Sequence, residues 1–155
     1  QIDFVSDVPE SLFAVPMPQG SRSALSATRK QTIGLADTKR IAPFPAVVPE
    51  YLPSGFILEQ ISWVEQTPAG FLHFLYSDGL RVISLFEESA ESVHPASMAL
   101  QESRAGGADK IYSMHDGGLT ILHRHWGPTH TTLVGDLQSG EMIRMMSSLK
   151  PADGA

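Results

Sequence analysis

Phe71-Leu72-His73-Phe74-Leu75-Tyr76-Ser77-Asp78-Gly79-Leu80-Arg81-Val82-Ile83-Ser84-Leu85-Phe86 decides the fold of this chain. At its centre Tyr76-Ser77-Asp78-Gly79-Leu80 joins two runs rich in aromatic and branched residues. Asp-Gly between such runs is the strongest short-range hairpin signal a sequence offers. A two-residue turn that matches the twist of its strands needs positive φ, and Asp followed by Gly reaches it at least cost. Asp78 and Gly79 are therefore read as structural turn residues. Both runs are apolar on both faces: Phe71 and Leu75 against Leu72 and Phe74, then Val82 and Phe86 against Ile83 and Leu85. Strands of that kind lie in the middle of a sheet covered on both sides. The hairpin is expected to be the core of the domain.

Working outward, Pro49-Glu50-Tyr51-Leu52-Pro53-Ser54-Gly55-Phe56 suits a turn that delivers the chain into a strand over 57–65, with Ile57, Ile61 and Trp63 on one face. Thr67-Pro68-Ala69-Gly70 turns that strand into the central hairpin. Residues 87–107 read as a long polar connection that opens with Glu87, Glu88 and Glu91, and a connection of that length is functional or mobile. Strands follow over 110–115, 119–126 and 131–135, separated by Asp116-Gly117-Gly118 and Gly127-Pro128. A helix closes the domain. Ser139 suits its N-cap and Glu141 its positive end. Met142, Met146 and Leu149, with Ile143 alongside, form one apolar stripe, and Pro151 stops it. Met145 falls off that stripe and is expected to be exposed or half-buried. The fold class is α+β: an antiparallel sheet of about five to six strands, with the C-terminal helix packed on one face, preceded by an extended linker.

A chain of 155 residues with 42% apolar content suffices for one domain, or one domain and a tail. No apolar run approaches the roughly eighteen residues of a membrane span. No signal peptide is visible and the chain begins with Gln1, so a processed chain or a piece of a longer one is expected. There are no cysteines, hence no disulfide framework and no thiolate chemistry. Charge is uneven. Five of the 11 basic residues, but only Asp37 of the 17 acidic ones, lie in 20–42. An acidic domain behind a basic segment argues against nucleic-acid binding by the domain. Residues 21–48 read as a basic, Pro-containing linker with a short helix around 23–30; the domain proper spans 49–150, and 151–155 form a tail.

With the strand order in place, certain stretches resemble a known family. Tyr51-Leu52-Pro53-Ser54-Gly55-Phe56, Tyr76-Ser77-Asp78-Gly79-Leu80 and Ser84-Leu85-Phe86 resemble the carboxyl-terminal domain of the MucB/RseB family, extracytoplasmic regulators of the envelope-stress sigma factor. Gly118-Leu119-Thr120, Leu133-Val134-Gly135-Asp136 and Ser147-Ser148-Leu149 fit the same pattern. The resemblance covers about two-thirds of the chain, 49–150. Pro9-Glu10-Ser11-Leu12-Phe13-Ala14-Val15-Pro16 is similar to the end of the family's amino-terminal, LolA-like domain, which makes 1–20 the end segment of that preceding domain. The resemblance implies a periplasmic or otherwise extracytoplasmic module that binds an anti-sigma factor and limits its proteolysis. It implies no catalytic residue, and its partner contacts do not map onto these motifs. A further reading, part of a lipid or lipoprotein carrier, would need the absent amino-terminal domain, through which a lipid or lipoprotein partner would be engaged.

One constellation invites a chemical reading. His123 and His125 share a strand face, and His130 meets His125 if Trp126 to Thr129 forms the turn; His115 lies one strand away. Three imidazoles on one face suit zinc or copper, which would make the chain a metal-binding protein or a metal-dependent enzyme. The same residues suit a polar, solvent-facing hairpin, and that reading is preferred. No Gly-x-Ser-x-Gly, phosphate-binding Gly-rich loop or His-Glu-x-x-His occurs, and Gly106-Gly107 lacks the spacing of a P-loop. No cofactor is expected. Met142 and Met146 are expected in the core; Trp63 and Trp126 suit either the core or an interface. Two routes to a partner remain open: an exposed strand edge, or the acidic start of the 87–107 loop.

Overall fold

The computed structural model describes residues 29–66, 69–92, 101–103 and 110–152. The expectations for 1–20, for the Thr67-Pro68 part of the first turn and for Gly106-Gly107 lie outside those residues. Among these residues ten strands form in chain order: β1 (Arg29–Thr32), β2 (Val47–Pro49), β3 (Ile57–Glu65), β4 (Phe71–Ser77), β5 (Val82–Ser89), β6 (Gln101–Ser103), β7 (Ile111–Asp116), β8 (Leu119–Trp126), β9 (Thr129–Gly135) and β10 (Leu149–Pro151). Helix α1 (Thr38–Ile41) follows β1, and α2 (Ser139–Ser147) follows β9.

Eight strands make one antiparallel sheet in the order β1-β3-β4-β5-β9-β8-β7-β6, while β2 and β10 form a small two-stranded sheet. Hairpin connections join β3 to β4 to β5 in one half of the large sheet and β7 to β8 to β9 in the other, while β1 reaches β3 from across the intervening α1 and β2. The halves meet where β5 pairs with β9, from Ile83 opposite Gly135 to Ser89 opposite Thr129. The Asp-Gly hairpin thus lies in the interior of the sheet, as its composition requires.

Alternation along the strands divides the sheet into two faces. Leu72, Phe74 and Tyr76 of β4, Ile83 and Leu85 of β5, Leu133 of β9 and Leu122 of β8 are buried on the inner face. Helix α2 and the small sheet cover them, with Phe44, Ala46, Val47 and Phe56 filling the space between. The other face is open among the described residues, which corrects the expectation of a sheet covered twice. Phe71, His73, Leu75 and Phe86 there are only half-buried. They shield one another instead: Phe71 meets Phe86 edge-on at 5.9 Å, and the His73 ring stacks on Phe86 at 4.6 Å.

Several further expectations are corrected. The basic segment read as linker is structured from Arg29 onward, because β1 pairs with β3 and the run through Phe44, Ala46 and Val47 is apolar enough to enter the core. Arg29 and Lys30, assigned to a short helix, belong to β1. The tail begins as strand: Pro151 lies in β10, and the Ala152 N–H donates to the Ala46 carbonyl at 2.9 Å. The N-cap of α2 is Gln138, whose carbonyl accepts from the Glu141 and Met142 N–H groups. The helix ends at Ser147, two turns and a half long, because Leu149 leaves it to pair with Pro49. Met145 is fully buried. The helix is wedged between the large sheet and β2, so two of its faces are covered rather than one stripe.

Candidate partner-binding surfaces

The stretches that carry the family resemblance come together at one end of the sheet. Pro53 to Phe56 form a β-turn closed by the Phe56 N–H on the Pro53 carbonyl at 3.1 Å, with Gly55 at the positive φ of 85° that its third position needs. The second stretch turns beside it. Ser77 pairs with Val82, so the apex of the hairpin is Gly79-Leu80, one residue later than the sequence reading placed it. Gly79 takes φ 89°, whereas Asp78 stays at negative φ. The Asp78 side chain takes the place of a backbone acceptor instead: its Oδ1 accepts from the Leu80 and Arg81 N–H groups at 2.9 and 2.7 Å. Its Oδ2 accepts from Arg81 Nε and Nη2 at 3.0 and 2.9 Å. These donors hold the carboxyl below the ordinary carboxylate range, the backbone N–H groups contributing most.

Arg81 links the two turns. Its guanidinium lies 5.6 Å from the centre of the Phe56 ring while it pairs with Asp78. A cleft of about 350 Å³ opens beside it, lined by Tyr51, Pro53, Ser54, Arg81, Asp136 and Glu141 among others. Tyr51 donates its hydroxyl hydrogen to Glu141, and Arg144 lies over the Tyr51 ring at 3.9 Å. The Tyr51 N–H donates to Ser148 Oγ at 3.0 Å, which ties the loop to the end of α2. The cleft offers a cation, two carboxylates and aromatic surface, a set suited to binding a polar chain.

The histidines occupy the open face. His125 and His130 are cross-strand partners across the Gly127-Pro128 turn, with ring centres 4.8 Å apart, and His123 stacks on His130 at 5.6 Å. His123 Nδ1 lies 3.0 Å from Thr132 Oγ1, and His130 Nδ1 lies 3.3 Å from Glu88 Oε1. Burial lowers the pKa of both His123 and His130, and the neighbouring imidazoles add to this; Glu88 opposes it. His115 pairs with Thr120 and so faces the core side, away from the cluster. Among the described residues no group of three or more His, Asp or Glu side chains has the arrangement of a metal centre.

Two features escaped the sequence reading. Glu87, taken for part of an acidic loop, belongs to β5 and is 0% exposed, with the Val47 N–H donating to its carboxylate. Strand alternation carries the signal, since Ile83, Leu85 and Glu87 share one face. Phe71, Phe86 and His73 form an aromatic patch on the open face that long apolar runs alone do not separate from a core. Trp63 and Trp126 are both half-buried against the core, Trp63 with its ring 6.4 Å from that of Phe44.

No family model matches the chain, and no curated protein does. Among the solved structures that resemble it are two complexes. MucB in complex with MucA(peri) is 24% identical with a TM-score of 0.49, over 72% of this chain and 38% of that one. The MucA/MucB complex of Pseudomonas aeruginosa is also 24% identical with a TM-score of 0.49, over 71% of this chain and 36% of that one. This chain thus spans under two-fifths of the length of either. No described helix is long and apolar enough to cross a membrane.

Proposed function

We propose that this chain is a regulatory binding module of the MucB/RseB kind, extracytoplasmic and without catalysis, which binds the extracytoplasmic segment of an anti-sigma factor and limits its proteolysis. One observation carries the reading: Tyr51, Pro53 and Ser54, from a stretch that resembles that family, line a cleft with Arg81, Asp136 and Glu141, and Asp78 of the second such stretch pairs with the Arg81 guanidinium there. The two routes expected from sequence are both weakened. The two edge strands of the large sheet are short, β1 with four residues including Arg29 and Lys30 and β6 with three, which are devices by which sheets discourage pairing at an edge. The 87–107 loop loses Glu87 to the core, which removes part of its acidic start. The cleft replaces them as the first contact surface.

The reading is tested by calorimetric titration of the chain with the extracytoplasmic segment of the anti-sigma factor, alongside a proteolysis assay of that segment. Saturable binding that slows cleavage, and that R81E weakens while the fold is retained, supports it. An absence of binding at high micromolar concentration overturns it for this chain.

A further inference from the structure

We infer that the open face of the sheet holds a slot for a cationic side chain, a lysine or arginine of an extended partner segment. The slot has a volume of about 250 Å³ and is lined by Gln66, Phe71, Phe86, Glu88 and Thr132. It is separate from the Arg81 cleft, which lies beside the opposite ends of β4 and β5. Its chemistry is one-sided. Phe71 and Phe86 supply aromatic walls in an edge-to-face pair, and His73, stacked flat on Phe86, holds that ring in place. Glu88 supplies a carboxylate whose side chain keeps 39% of its exposure. One of its oxygens, Oε1, faces His130, leaving Oε2 for a second donor. Gln66 and Thr132 add polar oxygens at the rim.

An aliphatic stem laid along the exposed surface of two phenyl rings, with its charge beside a carboxylate, is the arrangement that suits lysine and arginine side chains. An acidic side chain would meet Glu88, and a purely apolar one would desolvate that carboxylate without replacing its partners. Among the described residues Lys30 of β1 lies on this face, but it stands three strands from Glu88 and does not line the slot. A bound cation also favours neutral His130, which competes for the same carboxylate. This inference deepens the partner reading above by giving the chemistry of one partner residue, and it is testable without that partner.

The probe is a tripeptide, Ala-Lys-Ala, blocked at both ends and titrated into the labelled chain to about 10 mM, where a millimolar Kd is visible. The control is Ala-norleucine-Ala, which keeps the stem and lacks the charge. Amide shifts at Phe71, Phe86, Glu88 and Thr132 are expected to saturate with the lysine peptide. They should weaken about threefold or more in E88Q and at high salt, in line with a partly exposed ion pair and cation–π contact. F86L, which keeps apolar bulk and removes the ring face, should weaken them too. Equal shifts with norleucine, or lysine shifts indifferent to E88Q in a variant of unchanged spectrum, overturn the inference, as does silence at these four amides. The anti-sigma segment gives an independent outcome: if it fails to bind while the lysine peptide binds, the slot stands and the partner reading falls.

Discussion

Glu87 lies fully buried beneath Val47, with both carboxylate oxygens within 3.3 Å of the Val47 backbone N–H. The small sheet is therefore held to the large one by a carboxyl in the core. Burial pushes its pKa well above the ordinary 4.5, and the single N–H only partly offsets this. Between pH 4.5 and its raised pKa the folded chain binds more protons than the unfolded one, so this group makes stability fall as pH rises. The prediction is that E87Q, which keeps an acceptor for Val47 and cannot ionise, flattens that slope and is at least as stable as wild type at pH 7. E87A, which strands the N–H, should cost about 1–3 kcal/mol. Urea midpoints at pH 5 and pH 7 decide it, and a steeper slope in E87Q would sink the idea.

The histidine cluster acts with the opposite sign. His123 and His130 have pKa values lowered below the ordinary 6.5, chiefly by burial. Below pH 6.5 the unfolded chain binds the extra protons, so stability is lost as the solution is acidified. Thermal melts from pH 7.5 to pH 5 should show a falling midpoint, and H123Q combined with H130Q should remove most of the fall. If the double variant keeps the full acid sensitivity, the cluster is not its source.

Gly79 sits at φ 89° with nothing within 4 Å of the place a side chain would occupy. Steric room is ample, so any cost of substitution is backbone strain alone. G79V is predicted to destabilise by about 1–3 kcal/mol. Leu80 beside it is 96% exposed, and L80S should cost almost nothing. Comparable losses in the two variants would contradict this account of the turn.

Met145 is 0% exposed between the large sheet and β2. M145A should therefore cost about 2–5 kcal/mol by leaving a cavity. The half-buried Ile143 should tolerate the same change at a fraction of that. Equal denaturation midpoints for M145A and wild type would place Met145 at the surface.

What the sequence revealed follows the length of each pattern. β3, β4, β5, β8 and β9 are seven to nine residues long, enough for alternation to show both the strand and its faces. β2, β6 and β10 have three residues each, too few for alternation to show, and β2 and β10 are paired only by partners far along the chain, as when Lys150 finds Val48. No local period encodes such a contact. The same limit explains α2: its stripe was legible, but β2 on its second side was not, so Met145 was misplaced. The His125–His130 pairing was readable from the Gly127-Pro128 turn, whereas the Phe71–Phe86 slot needed the positions of two adjacent strands in space. Asp78 and Gly79 announced a hairpin, while the shift of its apex to Gly79-Leu80 depends on the carboxylate of Asp78 displacing a backbone acceptor.

The seam between β5 and β9 joins residues 40 to 52 positions apart, from 89 with 129 to 83 with 135. On either side of it β3-β4-β5 and β7-β8-β9 close through local hairpins, and only the short β1–β3 ladder at one edge is also non-local. The chain is thus organised in time as well as in space. Each half of the sheet zips locally on the microsecond scale of hairpins, but neither can bury its inner face until the seam forms. Refolding speed should then be governed at Leu85 and Leu133, which oppose each other across the seam, and L133A should slow it more than G79V does. Until that step, two exposed central strand edges stand open to pairing with another molecule, which makes the middle of this sheet, rather than its charged rim, the place where misassembly begins.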